Sequence, residues 1–166
     1  MWDPAEDMVV PAKDIPCNTH IYLRAQLGRL DMTVCNRSND LVWGALGSNI
    51  VHFSFLLELI AKATNLKVGV LHQFTNNLHV YERHWKFLEN PPHCESYAEL
   101  GVEPYPLIQD SLYFWLLDCQ NFIAGERRDF VEPFFKDVAA PMMSHNIDGI
   151  KATDWQLACR RYLGGR

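Results

Sequence analysis

Hydrophobic and polar positions near the start of the chain alternate in two consecutive runs. Residues 19–27 and 29–36 are rich in β-branched and aromatic side chains, and Gly28 separates them. Alternation on both sides of a glycine is typical of a β-hairpin. Before the hairpin, residues 1–16 hold three prolines among charged side chains, so we expect an extended segment without regular structure there.

The period of the pattern changes after the hairpin. Apolar side chains recur at helical spacing over residues 49–64, and Ser48 stands where a helix cap is expected. Residues 67–74 alternate again and predict a strand, which is followed by a short helix over residues 80–88. These elements favour an α+β fold in which a mixed or antiparallel sheet is backed by helices.

The second half of the chain is predicted to be helical. Residues 90–106 contain four prolines and are expected to form a connecting loop. Three helices are expected after the loop, beginning at Asp110 or Ser111, at Pro133, and at Thr153 or Asp154. The first two of these helices are expected to end near residues 124 and 143.

Composition and charge argue against several classes of function. Of the 166 residues 48% are hydrophobic, so the chain is expected to fold around a core. A formal net charge of -5 argues against a broad nucleic-acid-binding face. The longest apolar stretches, 51–60 and 112–117, are shorter than the roughly 20 residues that a membrane span requires, so no membrane association is expected.

The cysteines favour a reducing environment. There are five, an odd number without CxxC spacing and without a signal peptide before them, so we expect reduced thiols and a cytoplasmic location. Cys17 follows Pro16 directly and precedes the first predicted strand, which suits a thiol held rigidly at a sheet edge. A single cysteine is more often a small buried hydrophobic residue, and a reactive one needs a nearby positive charge. Arg37, at the far end of the hairpin, is the nearest in sequence.

The segment after the hairpin has two interpretations. Arg37 and Ser38 place a guanidinium fork beside a hydroxyl group, a combination that suits phosphate oxygens. Arg37-Ser38-Asn39-Asp40 is also an ordinary turn composition, in which the arginine pairs with Asp40 at the surface. These residues alone favour neither interpretation. The seven histidines show no grouping such as HExxH, so no metal site is predicted.

Taken together, these residues resemble the thymidylate synthase family. The matching positions, in the order and approximate spacing of that superfamily, are Pro16-Cys17, Cys35-Asn36-Arg37-Ser38-Asn39-Asp40, Gly44, Asn49 and Leu78-His79-Val80-Tyr81. Arg37 follows Cys17 by twenty positions as in the family, while one extra residue stands between Gly44 and Asn49. The resemblance spans roughly residues 2–88.

The resemblance implies a reaction and a cofactor. It implies that Cys17 adds to C6 of a pyrimidine and that Arg37 and Ser38 hold the 5′-phosphate of its nucleotide. Asp40 would face the folate. The thiol addition turns C5 into a carbon nucleophile, which takes a one-carbon unit from 5,10-methylenetetrahydrofolate without a metal.

The resemblance also implies how the base and the sugar are recognised. Asn49 matches the asparagine that reads the N3–O4 edge of uracil, because an amide can both donate and accept. His79 and Tyr81 match the pair that bonds the ribose 3′-hydroxyl. Without the resemblance, Asn49 could be a helix cap, and His79 and Tyr81 could be packing residues at a strand end.

Two positions depart from the family pattern. Asn18 follows the cysteine where thymidylate synthases usually have histidine, and Asn36 precedes Arg37 where they commonly have glutamine. The motifs look closer to phage-type nucleotide hydroxymethylases. In the deoxycytidylate hydroxymethylases an aspartate replaces the base-reading asparagine, so Asn49 favours dUMP over dCMP.

The expected organisation follows from the resemblance. We expect a single domain over residues 1–166, with a thymidylate synthase-like catalytic portion over 1–89 and a helical C-terminal extension over 90–166. The resemblance does not include the family's N-terminal portion, with its cavity glutamate and partner-donated arginines, so we expect this chain to lack it. The expected function is C5 methyl or hydroxymethyl transfer to a pyrimidine deoxynucleotide, as a homodimer or together with the missing portion. The alternative is a non-catalytic nucleotide-binding or assembly module.

Overall fold

The computed structural model describes residues 5, 16–91, 95–126 and 129–164. The chain divides into two units, residues 1–92 and 93–166. Nearly all of the segment expected to be extended, residues 1–16, lies outside the described residues.

The first unit contains a mixed three-stranded sheet and a small strand pair. Its described strands are β1 (Asn18–Gln26), β2 (Arg29–Asn36), β3 (Asn39–Asp40), β4 (Lys67–Thr75) and β5 (Leu78–His79). β1 and β2 form the predicted antiparallel hairpin, and β4 pairs parallel with β2 on its other side. The turn residues Leu27 and Gly28 both have positive φ, 51° and 73°, which is the geometry that two-residue hairpin loops prefer.

One face of the sheet carries the core of the first unit. Leu30, Met32 and Val34 point to this face because side chains alternate along β2. The helix α1 (Asn49–Ala63) covers them with Leu57 and Ala61. α1 also connects β2 to β4, and a helical crossover of this kind is what makes their pairing parallel. A mixed sheet backed by a helix confirms the predicted α+β class.

The helical segment directly before α1 differs from the sequence prediction. Leu41–Ser48 form a π-type helical segment that is kinked at Gly47. Asp40 caps this segment, because its carboxylate accepts a hydrogen bond from the Trp43 N–H at 2.5 Å. Ser48, predicted as the cap of α1, has helical backbone angles and makes no capping bond. The predicted cap is therefore wrong, since the helical run has already begun at Leu41.

One helical run among the described residues, Leu41–Ala63, is long and apolar enough to cross a membrane by length and composition, with a mean hydropathy of 1.4. The sequence pattern did not predict one long apolar helix here, because glycines and polar residues interrupt its apolar stretches. A single helix of this kind is weak evidence, because core helices meet the same criterion. Here the run contributes Leu57 and Ala61 to the core of the first unit, but only 11% of its apolar window is buried within the structure.

The remaining described elements are helical, as predicted for residues 80–88 and for the second half of the chain. They are a 3₁₀ turn at Glu82–His84 followed by α2 (Trp85–Glu89), then α3 (Leu112–Ile123), a π-type segment at Phe135–Ala139 that continues into α4 (Ala140–Met143), a 3₁₀ turn at Ile147–Gly149, and α5 (Thr153–Gly164). The three helices predicted after residue 106 are thus confirmed at their positions.

Two buried carboxylates connect segments of the second unit. Glu132 is fully buried and accepts hydrogen bonds from the backbone N–H groups of residues 109–111, just before α3. Asp118 in α3 accepts from the backbone N–H groups of Val131 and Glu132, each at 2.7 Å. Backbone donors that would otherwise be buried without partners are satisfied in this way.

Candidate active site

A cleft of about 610 Å³ lies where the start of β1, the β3–β5 pair and the beginning of α1 meet. Six of the seven residues singled out from the sequence line it: Cys17, Ser38, Asp40, Asn49, His79 and Tyr81. Residues from four separate parts of the first unit therefore converge on one opening. Arg37, the seventh, is exposed and lies beside the cleft.

Cys17 is held at the edge of the sheet by Arg37. The Arg37 backbone N–H donates to the Cys17 carbonyl at 2.9 Å, and the Arg37 Nε donates to the Pro16 carbonyl at 3.2 Å. These bonds extend the hairpin one step beyond β1 and β2. Cys17 is half-buried and lines the cleft from a backbone position that these two bonds fix.

The two residues that depart from the family pattern contact each other. The Asn18 Nδ2 donates to the Asn36 Oδ1 across the hairpin, directly opposite in the strand register. Asn36 is 2% exposed, so this bond lies beneath the cleft wall beside Cys17. The two departures are therefore in direct contact.

The β3–β5 pair positions Ser38, Asp40 and His79. Asp40 is opposite His79 in the parallel register, and Ser38 Oγ lies 3.3 Å from His79 Nδ1. The Tyr81 ring meets the His79 ring edge-on, with centroids 5.4 Å apart. The guanidinium of Arg83, which the sequence analysis did not single out, lies 5.1 Å from the centre of the Tyr81 ring. This side of the cleft therefore offers hydroxyl and imidazole groups to a ligand.

Asp40 has one satisfied and one unsatisfied carboxylate oxygen. Oδ1 accepts from the Trp43 N–H and caps the helical segment. Oδ2 is buried and has no hydrogen-bond partner within the described residues. A buried acceptor without a partner is costly unless a ligand or water satisfies it. Asp40 is therefore able to accept a hydrogen bond from a donor in the cleft.

Asn49 belongs to a chain of side-chain amides beneath the cleft. The Asn49 Nδ2 donates to the Asn39 Oδ1 at 3.0 Å, the Asn39 Nδ2 donates to the Gln73 Oε1 at 3.4 Å, and the Gln73 Nε2 donates to the Ala45 carbonyl at 3.0 Å. Gly44 makes room for this chain: a Cβ at that position would lie 1.9 Å from Asn39 Oδ1 and 3.2 Å from Asn49 Nδ2.

Sequence reasoning missed Asn39 and Gln73, although the sequence holds a signal for each. Gln73 is opposite Val34 in the β2–β4 register, so it occupies a core-facing position in an alternating strand. A polar residue at such a position needs a buried partner. Asn39 is 3% exposed, although a surface turn was one of the two interpretations of its motif.

The thiols differ in their surroundings. No disulfide joins the four cysteines that the structure describes, Cys17, Cys35, Cys119 and Cys159. Burial and the nearby charge of Asp118 raise the pKa of Cys119 to about 11, so this thiol stays protonated at neutral pH. Within the described ranges, no three histidine, cysteine or acidic side chains are grouped in a way that could hold a metal ion.

A family model and several known proteins match this chain. The family model described as thymidylate synthase matches residues 1–99. A deoxyuridylate hydroxymethyltransferase of Pseudomonas phage M6 is 36% identical over 189 residues, which cover 95% of this chain and 54% of that protein. One of Bacillus phage SP01 is 46% identical over 69 residues, 42% of this chain and 18% of that protein. A thymidylate synthase of Symbiobacterium thermophilum is 33% identical over 108 residues, 64% of this chain and 34% of that protein.

The extent of the matches differs between the two units. The chain spans about half the length of the phage M6 relative and smaller shares of the others. The family model ends near the start of the second unit, whereas the similarity to the phage M6 protein covers almost the whole chain. The similarity to the phage M6 protein therefore extends into the residues of the second unit.

Proposed function

Because this chain belongs to the thymidylate synthase family, we propose that it transfers a one-carbon unit to C5 of dUMP and forms the hydroxymethyl product. The observation that carries the proposal is the meeting of Cys17 and Asn49 in one cleft with Ser38 and His79. A hydroxymethyl product, rather than a methyl one, is supported by the phage M6 relative, whose similarity covers 95% of this chain.

The phosphate of the nucleotide is proposed to bind at Arg37 and Ser38. Arg37 lies at the cleft edge with its Nε anchored on the Pro16 carbonyl, which orients the guanidinium fork. The Ser38 hydroxyl lies within hydrogen-bond reach of His79, so both are available at the same wall. Bidentate guanidinium contacts are among the stronger hydrogen bonds to phosphate. His79 and Tyr81 then contact the ribose 3′-hydroxyl.

Cys17 is proposed as the nucleophile. Its thiolate adds to C6 of the uracil ring and forms a C–S bond, and the electron pair of the C5–C6 double bond moves to C5 and the adjoining carbonyl. C5 then has the electron pair that a new carbon–carbon bond requires. After that bond has formed, loss of the C5 proton and release of the one-carbon unit from its carrier leave a methylene group on C5. Water then adds to this carbon and supplies the hydroxyl group, and departure of the Cys17 sulfur restores the ring double bond.

The proposed cofactor is 5,10-methylenetetrahydrofolate, which supplies the one-carbon unit when bound. The residues fit such a group at Asp40, because its buried Oδ2 has no hydrogen-bond partner among the described residues and a pterin ring offers N–H donors. Asp40 would hold the ring by accepting a hydrogen bond from one of these donors. Its other oxygen keeps the helical segment capped while it does so.

The proposal also includes a second polypeptide that contributes to the site, and a cytosolic location. Arg37 is exposed beside the cleft, so we propose that a second copy of this chain completes the site. The division of the chain near residue 92 supports a catalytic portion over 1–89 followed by a helical extension over 90–166. Cysteines without disulfides, among those described, suit the cytosol.

Tritium release from dUMP labelled at C5 tests the proposal. With methylenetetrahydrofolate present, the chain should release tritium to water and form 5-hydroxymethyl-dUMP, which chromatography separates from thymidylate. Cys17→Ser should abolish release because a hydroxyl is a far weaker nucleophile than a thiolate. Cys35→Ser is the matched control, since Cys35 lies half-buried on the adjacent strand outside the cleft lining.

Two results would contradict the assignment. Turnover by Cys17→Ser at the wild-type rate would exclude Cys17 as the nucleophile. Tight binding of dUMP by the wild type without any tritium release would favour the alternative, a nucleotide-binding module that has lost catalysis.

A further inference from the structure

The amide chain beneath the cleft has a fixed direction, set at its far end. The Ala45 carbonyl is a backbone acceptor and cannot donate, so the Gln73 side chain must turn its Nε2 toward it. This leaves the Gln73 Oε1 facing Asn39, so the Asn39 side chain must donate to it through its Nδ2. The Asn39 Oδ1 is then directed at Asn49, whose Nδ2 donates to it. Each amide thus fixes the orientation of the next.

Asn39 has no room to turn away from this arrangement. It is 3% exposed, and its backbone N–H donates to the Asn77 carbonyl at 3.0 Å. The Gly44 backbone lies against its side chain, so closely that a Cβ there would overlap the Asn39 Oδ1. The side chain is therefore fixed by its main chain, by Gln73 and by the helical segment.

We propose that Asn39 and Gln73 are positioning residues that make the site selective for uracil over cytosine by fixing the orientation of the Asn49 amide. This inference rests on the proposed function, in which Asn49 reads the base. With Nδ2 anchored on Asn39, Asn49 keeps one N–H for the O4 acceptor of uracil and keeps its Oδ1 for the N3–H donor.

Cytosine requires the opposite orientation. Its N3 accepts and its exocyclic amino group donates, so Asn49 would have to exchange the positions of its oxygen and nitrogen. The Asn49 Oδ1 would then face the Asn39 Oδ1, and two acceptors would meet where a donor and an acceptor now lie 3.0 Å apart. Loss of this hydrogen bond and burial of an unpaired acceptor correspond to roughly a ten- to hundredfold preference for uracil.

The test measures affinities for dUMP and dCMP by calorimetry in the wild type and in variants of the amide chain. Asn39→Leu keeps the shape of the side chain but removes its polarity, so Asn49 is able to turn. We expect the dUMP-to-dCMP affinity ratio to fall roughly tenfold, with dCMP binding gained and dUMP binding retained in part. Gln73→Met removes the acceptor that holds Asn39 and should also lower the dUMP-to-dCMP affinity ratio. This variant tests the inference if Asn39→Leu does not fold.

Two variants act as controls for this test. Asn39→Asp supplies acceptor oxygens that still hold the Asn49 Nδ2 in place but removes the donor to the Gln73 Oε1, so it should weaken both nucleotides alike and retain the wild-type ratio. Gln26→Met makes the same chemical change as Gln73→Met at an exposed position at the end of β1 and should leave both affinities unchanged.

A merely structural role for the amide chain predicts a different result. In that case Asn39→Leu and Gln73→Met would weaken dUMP and dCMP equally and leave the ratio unchanged, which would overturn the inference. Loss of the preference in Asn39→Asp to the same degree as in Asn39→Leu would also overturn it. A wild type that binds neither nucleotide overturns the proposed function itself, so the two failures are distinguishable.

Discussion

Replacement of Gly44 by alanine should disturb the amide chain without altering any of its members. The added Cβ would lie 1.9 Å from the Asn39 Oδ1, and real Cβ contacts are essentially never shorter than 3.0 Å, so the oxygen must move away. Asn39 is 3% exposed and has little space to move into. Loss of its bond to Asn49 costs about 1–3 kcal/mol, which exceeds the roughly 0.5–1 kcal/mol that alanine gains over glycine in a helix. We expect a net destabilisation of about 1–2 kcal/mol.

Urea unfolding and nucleotide titration together measure this effect. Gly44→Ala should lower the free energy of unfolding and narrow the preference for dUMP over dCMP. Gly28→Ala is the matched control, because that position is open space but has a φ of 73°, so it should lose about 1–2 kcal/mol from backbone strain and keep the wild-type preference. A Gly44→Ala chain with wild-type stability and wild-type selectivity would refute the reasoning.

Three further predictions follow from the site and from the second unit. Arg37→Ala should weaken dUMP binding by about 2 kcal/mol and hardly affect deoxyuridine; equal losses for both in calorimetry would exclude a phosphate contact. Asn49→Asp should narrow or invert the dUMP preference in tritium release, because a carboxylate accepts from the cytosine amino group; an unchanged ratio would exclude Asn49 as the base reader. Burial and the hydrogen bond to Asp137 raise the pKa of Tyr105 from 10.0 to about 12, so its contribution to stability is present below pH 10 and lost as the pH rises toward 12. The free energy of unfolding in urea should fall between these pH values, and the fall should be smaller in Tyr105→Phe.

The sequence predicted the elements whose pattern is local. The hairpin, α1, β4 and the helices of the second unit each carry their own periodicity, and all of them form at the expected positions. Leu41–Ser48 was not predicted to be helical because Gly44 and Gly47 are weak helix formers. The structure requires glycine at position 44 for contact with Asn39, so tertiary packing outweighs the local preference. Because the helical run begins at Leu41, the residue that caps it is Asp40 and not Ser48.

The sequence predicted site residues only where they belong to motifs that follow the family's order along the chain. The resemblance singled out six residues that do line one cleft. It gave no indication of the amide chain, because Asn39 and Gln73 come from different strands and meet only through the fold. It also presented Asn18 and Asn36 as two separate departures, whereas the structure joins them by one hydrogen bond. Contacts between distant segments are the part that a single sequence does not contain.

Covalent trapping with 5-fluoro-dUMP tests the central claim most directly. A fluorine at C5 cannot leave as a proton does, so a reaction that begins with addition of Cys17 to C6 should stop with the nucleotide attached to the protein. Incubation with 5-fluoro-dUMP and methylenetetrahydrofolate, followed by intact mass measurement and peptide mapping, should give one adduct per chain on the peptide that contains Cys17. Cys17→Ser should give none. An adduct on Cys35 or another cysteine, or no adduct on a wild-type chain that binds the nucleotide, would contradict the account.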